Sequence, residues 1–207
     1  MPLRIGKKME KMPLPKPAII FQMRNIFIFH GTGGHPKENW FPWLKEELEQ
    51  KEYKVYIPQF PNPDKPLLGP WLKELEQYKD KINEDTILIG HSLGGLFLLR
   101  VLEELNQPVK AAIIVSGSAG VKPIKFYEGD YNFSDGFKFD WEKIKSNSKQ
   151  FVVFHSDNDP YISLGNGELI SEKLGVKLTF IPNAGHFNKD AGYTKFNKLF
   201  DTIKSIK

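Results

Sequence analysis

Gly90-His91-Ser92-Leu93-Gly94 sets a serine two residues from a glycine on either side. The apolar run Ile87-Leu88-Ile89 precedes it and a long apolar stretch opens at Leu93. A strand that turns sharply into a helix at a serine strains the backbone and exposes the hydroxyl at the sheet edge. Glycines at both flanks suit the close approach of chains that such a turn requires. The plainer reading is a glycine-rich turn whose serine only caps the helix. An alcohol is a weak nucleophile near neutral pH, so Ser92 needs a base, and the base needs an orienting acid. In the setting this motif requires, the partners follow in the order acid, then histidine. His155 and His186 come after Ser92. His155 adjoins the apolar run ending at Phe154 and reads as a strand-end residue. His186, in the post-strand loop Asn183-Ala184-Gly185-His186-Phe187, is the better base.

The acid belongs after the strand Phe151 to Phe154, where Ser156-Asp157-Asn158-Asp159-Pro160 offers two carboxylates. Asp159 precedes a proline, which holds its backbone extended and favours it. Asp157 has an alternative role in an Asx turn, and the residues alone leave both open. An oxyanion needs amide donors. Leu93, at a helix start just after Ser92, is one, and Thr32 or Gly31 in His30-Gly31-Thr32-Gly33-Gly34 is the expected second. That loop lacks the Gly-x-Gly-x-x-Gly spacing of a dinucleotide site and the Gly-Lys-Ser/Thr of a phosphate loop. Aromatics recur from Phe126 to Trp141, and Phe126, Tyr127 and Phe133 are candidates for an apolar substrate wall. A satellite core under a long loop would use the same residues. No His/Asp/Glu cluster has metal-ligand spacing, and the chemistry calls for neither metal nor cofactor.

Elements must bring these groups together. Ile26 to Phe29, Val55 to Ile57, Thr86 to Ile89, Ala111 to Val115, Phe151 to Phe154 and Leu178 to Ile181 read as strands. Apolar residues at helical spacing predict helices over Trp40 to Gln50, from Trp71 to Tyr78, and over Leu93 to Leu105. Two more are expected near Glu168 to Leu174 and from about Tyr193 to Ser205. Near-continuous apolar strands separated by helices predict an α/β fold: a mainly parallel sheet of about six strands, covered on both faces. Gly120 to Asp140 reads as irregular.

The 207 residues suit one buried core. The net charge of +4 raises the question of nucleic acid, but residues 1–24 hold six basic side chains against one acid, Glu10. The remainder carries about −1, so the basic excess belongs to a Pro-containing N-terminal arm, 1–24, and residues 25–207 form the domain. Nucleic-acid binding is not expected. No apolar run reaches the length of a membrane span. The chain has no cysteine, which excludes disulfides and a thiol nucleophile, and it shows no signal core, so a cytoplasmic location is expected. Oligomeric state is not legible.

Taken together, these residues resemble the small serine-hydrolase family of the retinoblastoma-binding serine hydrolase and the bacterial YdeN-type proteins. The resemblance runs from Ile26 to the C-terminus. It is carried by His30 to Gly34, Pro61-Asn62-Pro63-Asp64 followed by Trp71, and the Gly90 to Gly94 elbow. Trp141 to Lys145, Asp157 to Pro160, and Gly185-His186-Phe187 complete it. It implies a compact α/β-hydrolase fold without a large lid and a triad of Ser92, Asp159 and His186, favouring Asp159 over Asp157. It also implies esterase-type chemistry through an acyl-enzyme on a small-molecule ester. Amide or thioester cleavage by the same triad, or a protein-interaction module on a hydrolase fold, are the alternatives.

Overall fold

The computed structural model describes residues 24–125 and 127–207, without the side chains of 127–129. The expected N-terminal arm therefore lies outside the described residues except for Arg24. Six strands form one sheet: β1 (Asn25–Phe29), β2 (Lys54–Tyr56), β3 (Ile87–His91), β4 (Ala111–Val115), β5 (Phe151–His155) and β6 (Leu178–Phe180). Their order is β2-β1-β3-β4-β5-β6, and every neighbouring pair is parallel. Side-chain alternation along β1 explains why both faces must be covered. Phe27 and Phe29 enter one apolar layer, while Ile26 and Ile28 enter the other, and all four are wholly buried.

The helices are α1 (Phe41–Glu49), α2 (Leu68–Glu76), α3 (Leu93–Glu104), α4 (Tyr127–Ser134), α5 (Trp141–Ser146), α6 (Leu164–Leu174) and α7 (Asn197–Ser205). Phe41, Leu44 and Leu48 of α1 join Leu199 and Ile203 of α7 on the Ile26 face. Residues of α2 through α6 pack on the Phe27 face. α3 is buried continuously from Leu93 to Leu102, as a helix apolar all round must be when it is sandwiched between a sheet and other helices.

The sheet grows from β1 in two directions, to β2 on one side and to β3 on the other. Loops leaving β1 and β3 therefore diverge at a switch point on the carboxyl edge, where parallel sheets open a crevice. That geometry, rather than any local signal, brings His30 to Gly34 against the turn at Ser92.

The segment expected to be irregular contains α4 instead. Its sequence, Tyr-Glu-Gly-Asp-Tyr-Asn-Phe-Ser, has little amphipathic signal, so tertiary contacts must hold it. Arg100 of α3 donates through Nε to the Phe133 carbonyl at 2.8 Å and through Nη2 to that of Ser134. An arginine inside an otherwise apolar helix thus serves as the C-terminal cap of its neighbour. α6 begins at Leu164, earlier than its apolar spacing indicates, because Gly165 and Gly167 let it press on the chain beneath. A Cβ on Gly167 would lie 2.6 Å from that of His155. Among the described residues no helix is long and apolar enough to cross a membrane.

Candidate active site

β3 ends at His91 and α3 begins at Leu93, so Ser92 is the whole of the turn. Its backbone lies at φ 58°, ψ −126°, a conformation that costs a non-glycine residue about 1–3 kcal/mol. Neighbours enforce it. The Ser92 amide donates to the Val115 carbonyl at 2.9 Å, and its carbonyl accepts from Gly95 N at 2.8 Å. A Cβ on Gly90 would meet the Gly94 oxygen at 2.2 Å, and one on Gly94 would meet the Phe29 oxygen at 2.2 Å. Both glycines are therefore required by main chain, which no rotamer change relieves.

The loop after β1 lies directly against this turn: a Cβ on Gly31 would stand 2.8 Å from the Ser92 Cβ. His30 holds that loop in place. Phe60 N donates to His30 Nε2 at 3.1 Å, so the ring proton sits on Nδ1, which donates to the Gly31 carbonyl at 2.8 Å. Burial lowers the His30 pKa and keeps the ring neutral for this task. From outside, Gly33 N donates to the Pro63 carbonyl at 2.8 Å, and Trp71 Nε1 to that of Pro61 at 3.0 Å. Gly31, one of the residues expected to offer an oxyanion amide, thus stands against Ser92, and Leu93 follows Ser92 directly in the chain.

His186 Nδ1 donates to Asp159 Oδ2 at 2.7 Å, with the histidine 8% exposed and the aspartate 0%. The other Asp159 oxygen accepts the amides of Tyr161 at 2.9 Å and Ile162 at 3.1 Å. Burial alone would raise this carboxyl's pKa. The His186 hydrogen bond and charge, with those two amides, outweigh it and hold the pKa below the ordinary value. Asp157 is occupied elsewhere, accepting Asn183 N at 2.8 Å.

That bond belongs to a set the sequence reading missed. Ser156 Oγ accepts Ala184 N at 2.9 Å and Asn158 Oδ1 accepts Gly185 N at 2.7 Å. Three successive side chains of the acid loop hold three successive amides just before His186. On the far side, His91 Nε2 donates to the His186 carbonyl at 2.7 Å and Trp40 Nε1 to that of Phe187 at 2.9 Å. Burial, reinforced by the nearby His186, pushes the His91 pKa down to about 3, so His91 is a neutral donor. Positive φ at Asn183, Gly185 and Phe187 is sustained by this framework. Successive polar residues after a strand end carry no unique signal for such a role. His155 donates to the Ile162 carbonyl at 3.1 Å, a strand-end function as expected.

Ser92 and His186 open onto one cleft of about 670 Å³, together with Gly31, Thr32, His91 and Asp130. Its character corrects the expectation of an apolar wall at Phe133. Phe133 is wholly buried and packs edge-on to Trp71, with ring centres 4.9 Å apart, in the core behind α4. α4 packs against α3, and the Phe133 ring fills the space beside Trp71 and Phe97, which draws it away from the cleft. Phe126 and the side chain of Tyr127 lie outside the described residues. Among the described lining residues, Ile162 is the one aliphatic side chain. Glu38 also lines the cleft, and burial raises its pKa to about 7. No group of metal-ligating side chains occurs among the described residues.

Comparison with known proteins agrees with this architecture. The profile of the family described as serine hydrolase matches residues 26–205. The hydrolase YdeN of Bacillus subtilis strain 168 is 31% identical over 184 residues, covering 88% of this chain and 95% of YdeN. Serine hydrolase RBBP9 of Rattus norvegicus is 28% identical over 178 residues, covering 86% of this chain and 91% of its own. The crystal structure of the B. subtilis ydeN product superimposes with a TM-score of 0.80 at 30% identity, over 89% of this chain and 98% of that one. Est1E of Butyrivibrio proteoclasticus, with ferulic acid bound, shares the fold at a TM-score of 0.64 and 18% identity, over 89% and 91% of the two chains. With its profile matched along nearly the whole described domain, the chain belongs to the serine hydrolase family.

Proposed function

We propose that this serine hydrolase cleaves carboxylic esters through a triad of Ser92, His186 and Asp159. The reading rests on one observation above the rest: a histidine bonded to a buried carboxylate at 2.7 Å shares a cleft with a serine held at φ 58°. Asp159 keeps the proton of His186 on Nδ1, which leaves Nε2 free to accept the Ser92 hydroxyl proton as Oγ attacks the ester carbonyl carbon. The amides of Leu93 and of Thr32 or Gly31 stabilise the oxyanion that develops, and they need no reorganisation because their loops are already fixed. His186 returns the proton to the departing alcohol, leaving an acyl-Ser92 ester. Water, deprotonated by His186, then attacks that ester and releases the acid. A fluorophosphonate probe tests the assignment. It should label the wild type and spare Ser92→Ala, and equal labelling of both would overturn it.

A further inference from the structure

One buried carboxyl group in the cleft has no part in this chemistry. Asp130 lies on α4, is 3% exposed, and lines the cleft with Ser92 and His186. His186 already has its acid on Nδ1 in Asp159, so Asp130 is not the orienting group. Its Oδ2 accepts from Ser118 Oγ at 2.7 Å, and Ser118 is itself wholly buried in the loop after β4. Ser118 is the hydrogen-bond partner of this carboxyl among the described residues, and the other oxygen has none there. A carboxylate with one donor keeps acceptor capacity for a group in the cleft that it lines. Burial accordingly pushes its pKa up to about 6, against the Ser118 bond and the charge of His186. α4 itself is anchored, through Arg100 to the carbonyls of Phe133 and Ser134, so the carboxyl is presented from a fixed position.

We propose that Asp130 is the specificity residue of the cleft, accepting a hydrogen bond from a hydroxyl or ammonium group carried by the substrate near its scissile carbonyl. This rests on the proposed ester hydrolysis at Ser92. A donor on the substrate completes the carboxylate's hydrogen bonding, whereas an unsubstituted alkyl chain buries it unpaired. Discrimination of this kind far exceeds what a hydrocarbon pocket achieves by size. The polar lining agrees, since a fatty acyl chain would find Ile162 as the one aliphatic wall among the described residues.

The test compares para-nitrophenyl esters of butyric, α-hydroxybutyric and α-aminobutyric acid with wild type, Asp130→Asn and Asp130→Leu. Wild type should favour at least one donor-bearing ester in kcat/KM by about tenfold or more. Asp130→Leu should lower that ratio by about tenfold relative to wild type, and Asp130→Ala serves should the leucine variant not fold. Asp130→Asn separates the two donors, keeping an acceptor for a hydroxyl while losing the charge that draws an ammonium. Probe labelling at Ser92 shows that each variant retains its fold. A wild type that turns over the butyrate ester without preference overturns the role of Asp130 and leaves the triad standing. A ratio unchanged between wild type and Asp130→Leu also overturns it. If wild type neither labels nor turns over any ester, the proposed function fails and this inference with it.

Discussion

Asp157 and Asp159 stand two residues apart in one loop, and their oxygens are committed to different donors. Asp159 holds the His186 ring, while Asp157 holds the Asn183 amide. Asparagine keeps an acceptor oxygen, so Asp157→Asn should alter ester turnover little. Asp159→Asn cannot hold the same tautomer and should lower kcat by roughly 10³–10⁴-fold. Steady-state kinetics on both variants decides the matter, and a loss confined to Asp157→Asn would reverse the assignment. Stability reports the buried carboxyl of Asp130 separately. Its folded pKa, about 6, exceeds the unfolded value near 4, so between those values the native state binds more protons than the unfolded one. Its contribution is most favourable below about pH 4 and declines as pH rises through about 6, by up to about 3 kcal/mol. Asp159, with its pKa lowered, acts in the opposite sense, stabilising above the unfolded value and losing its effect as pH falls through the folded one. Urea melts across pH 4 to 7 should therefore show Asp130→Asn gaining on wild type as pH rises. A constant difference between the two would mean that Asp130 does not titrate abnormally.

At the scale of elements, α4 joins the core to the cleft: Phe133 packs on Trp71 in the core, and Asp130, about one turn earlier on the same face, lines the cleft. Phe133→Ala should cost about 3–5 kcal/mol in chemical denaturation, the usual penalty for emptying a packed aromatic site. A wild-type stability with a raised KM would instead place the ring in the substrate wall. The two loops that carry Asp159 and His186 are likewise one unit, because the side chains of Ser156, Asp157 and Asn158 clasp the amides of 183–185. Each bond is worth about 1 kcal/mol or a little more. Their larger effect is to hold the His186 backbone where Asp159 can reach its ring.

Across the whole molecule, one parallel sheet with an apolar layer on each face positions everything else. The described domain closes on itself at its ends: Arg24 Nη1 donates to the Ile206 carbonyl at 3.0 Å, and Ile206 is buried. A chain beginning at Arg24 should consequently keep its Tm to within a few degrees and retain ester turnover, as measured by thermal melting and kinetics. A large fall in Tm would make residues 1–23 part of the fold.

Most of the architecture was legible along the chain. Strands buried on both faces must be apolar throughout, so Ile26 to Phe29, Ile87 to Ile89 and Ala111 to Val115 declare themselves by composition. Ser92 was legible for a related reason: only glycine satisfies the contacts at 90 and 94, which leaves a pattern at fixed spacing. Chain order left His155 and His186, and the post-strand loop around His186 made it the expected base. Tertiary structure alone decided the rest. α4 has no strong period of its own and exists because Arg100 and the pocket around Phe133 hold it. The proline after Asp159 and the family resemblance already favoured it over Asp157, but that its carboxylate bonds a ring 27 residues further along is visible only in the fold. The cleft's polar character depended on where α4 is laid against α3, since that placement sends the Phe133 ring into the core and brings Asp130, on the same helix face, to the cleft. Such contacts join residues far apart in sequence, and local spacing carries no record of them.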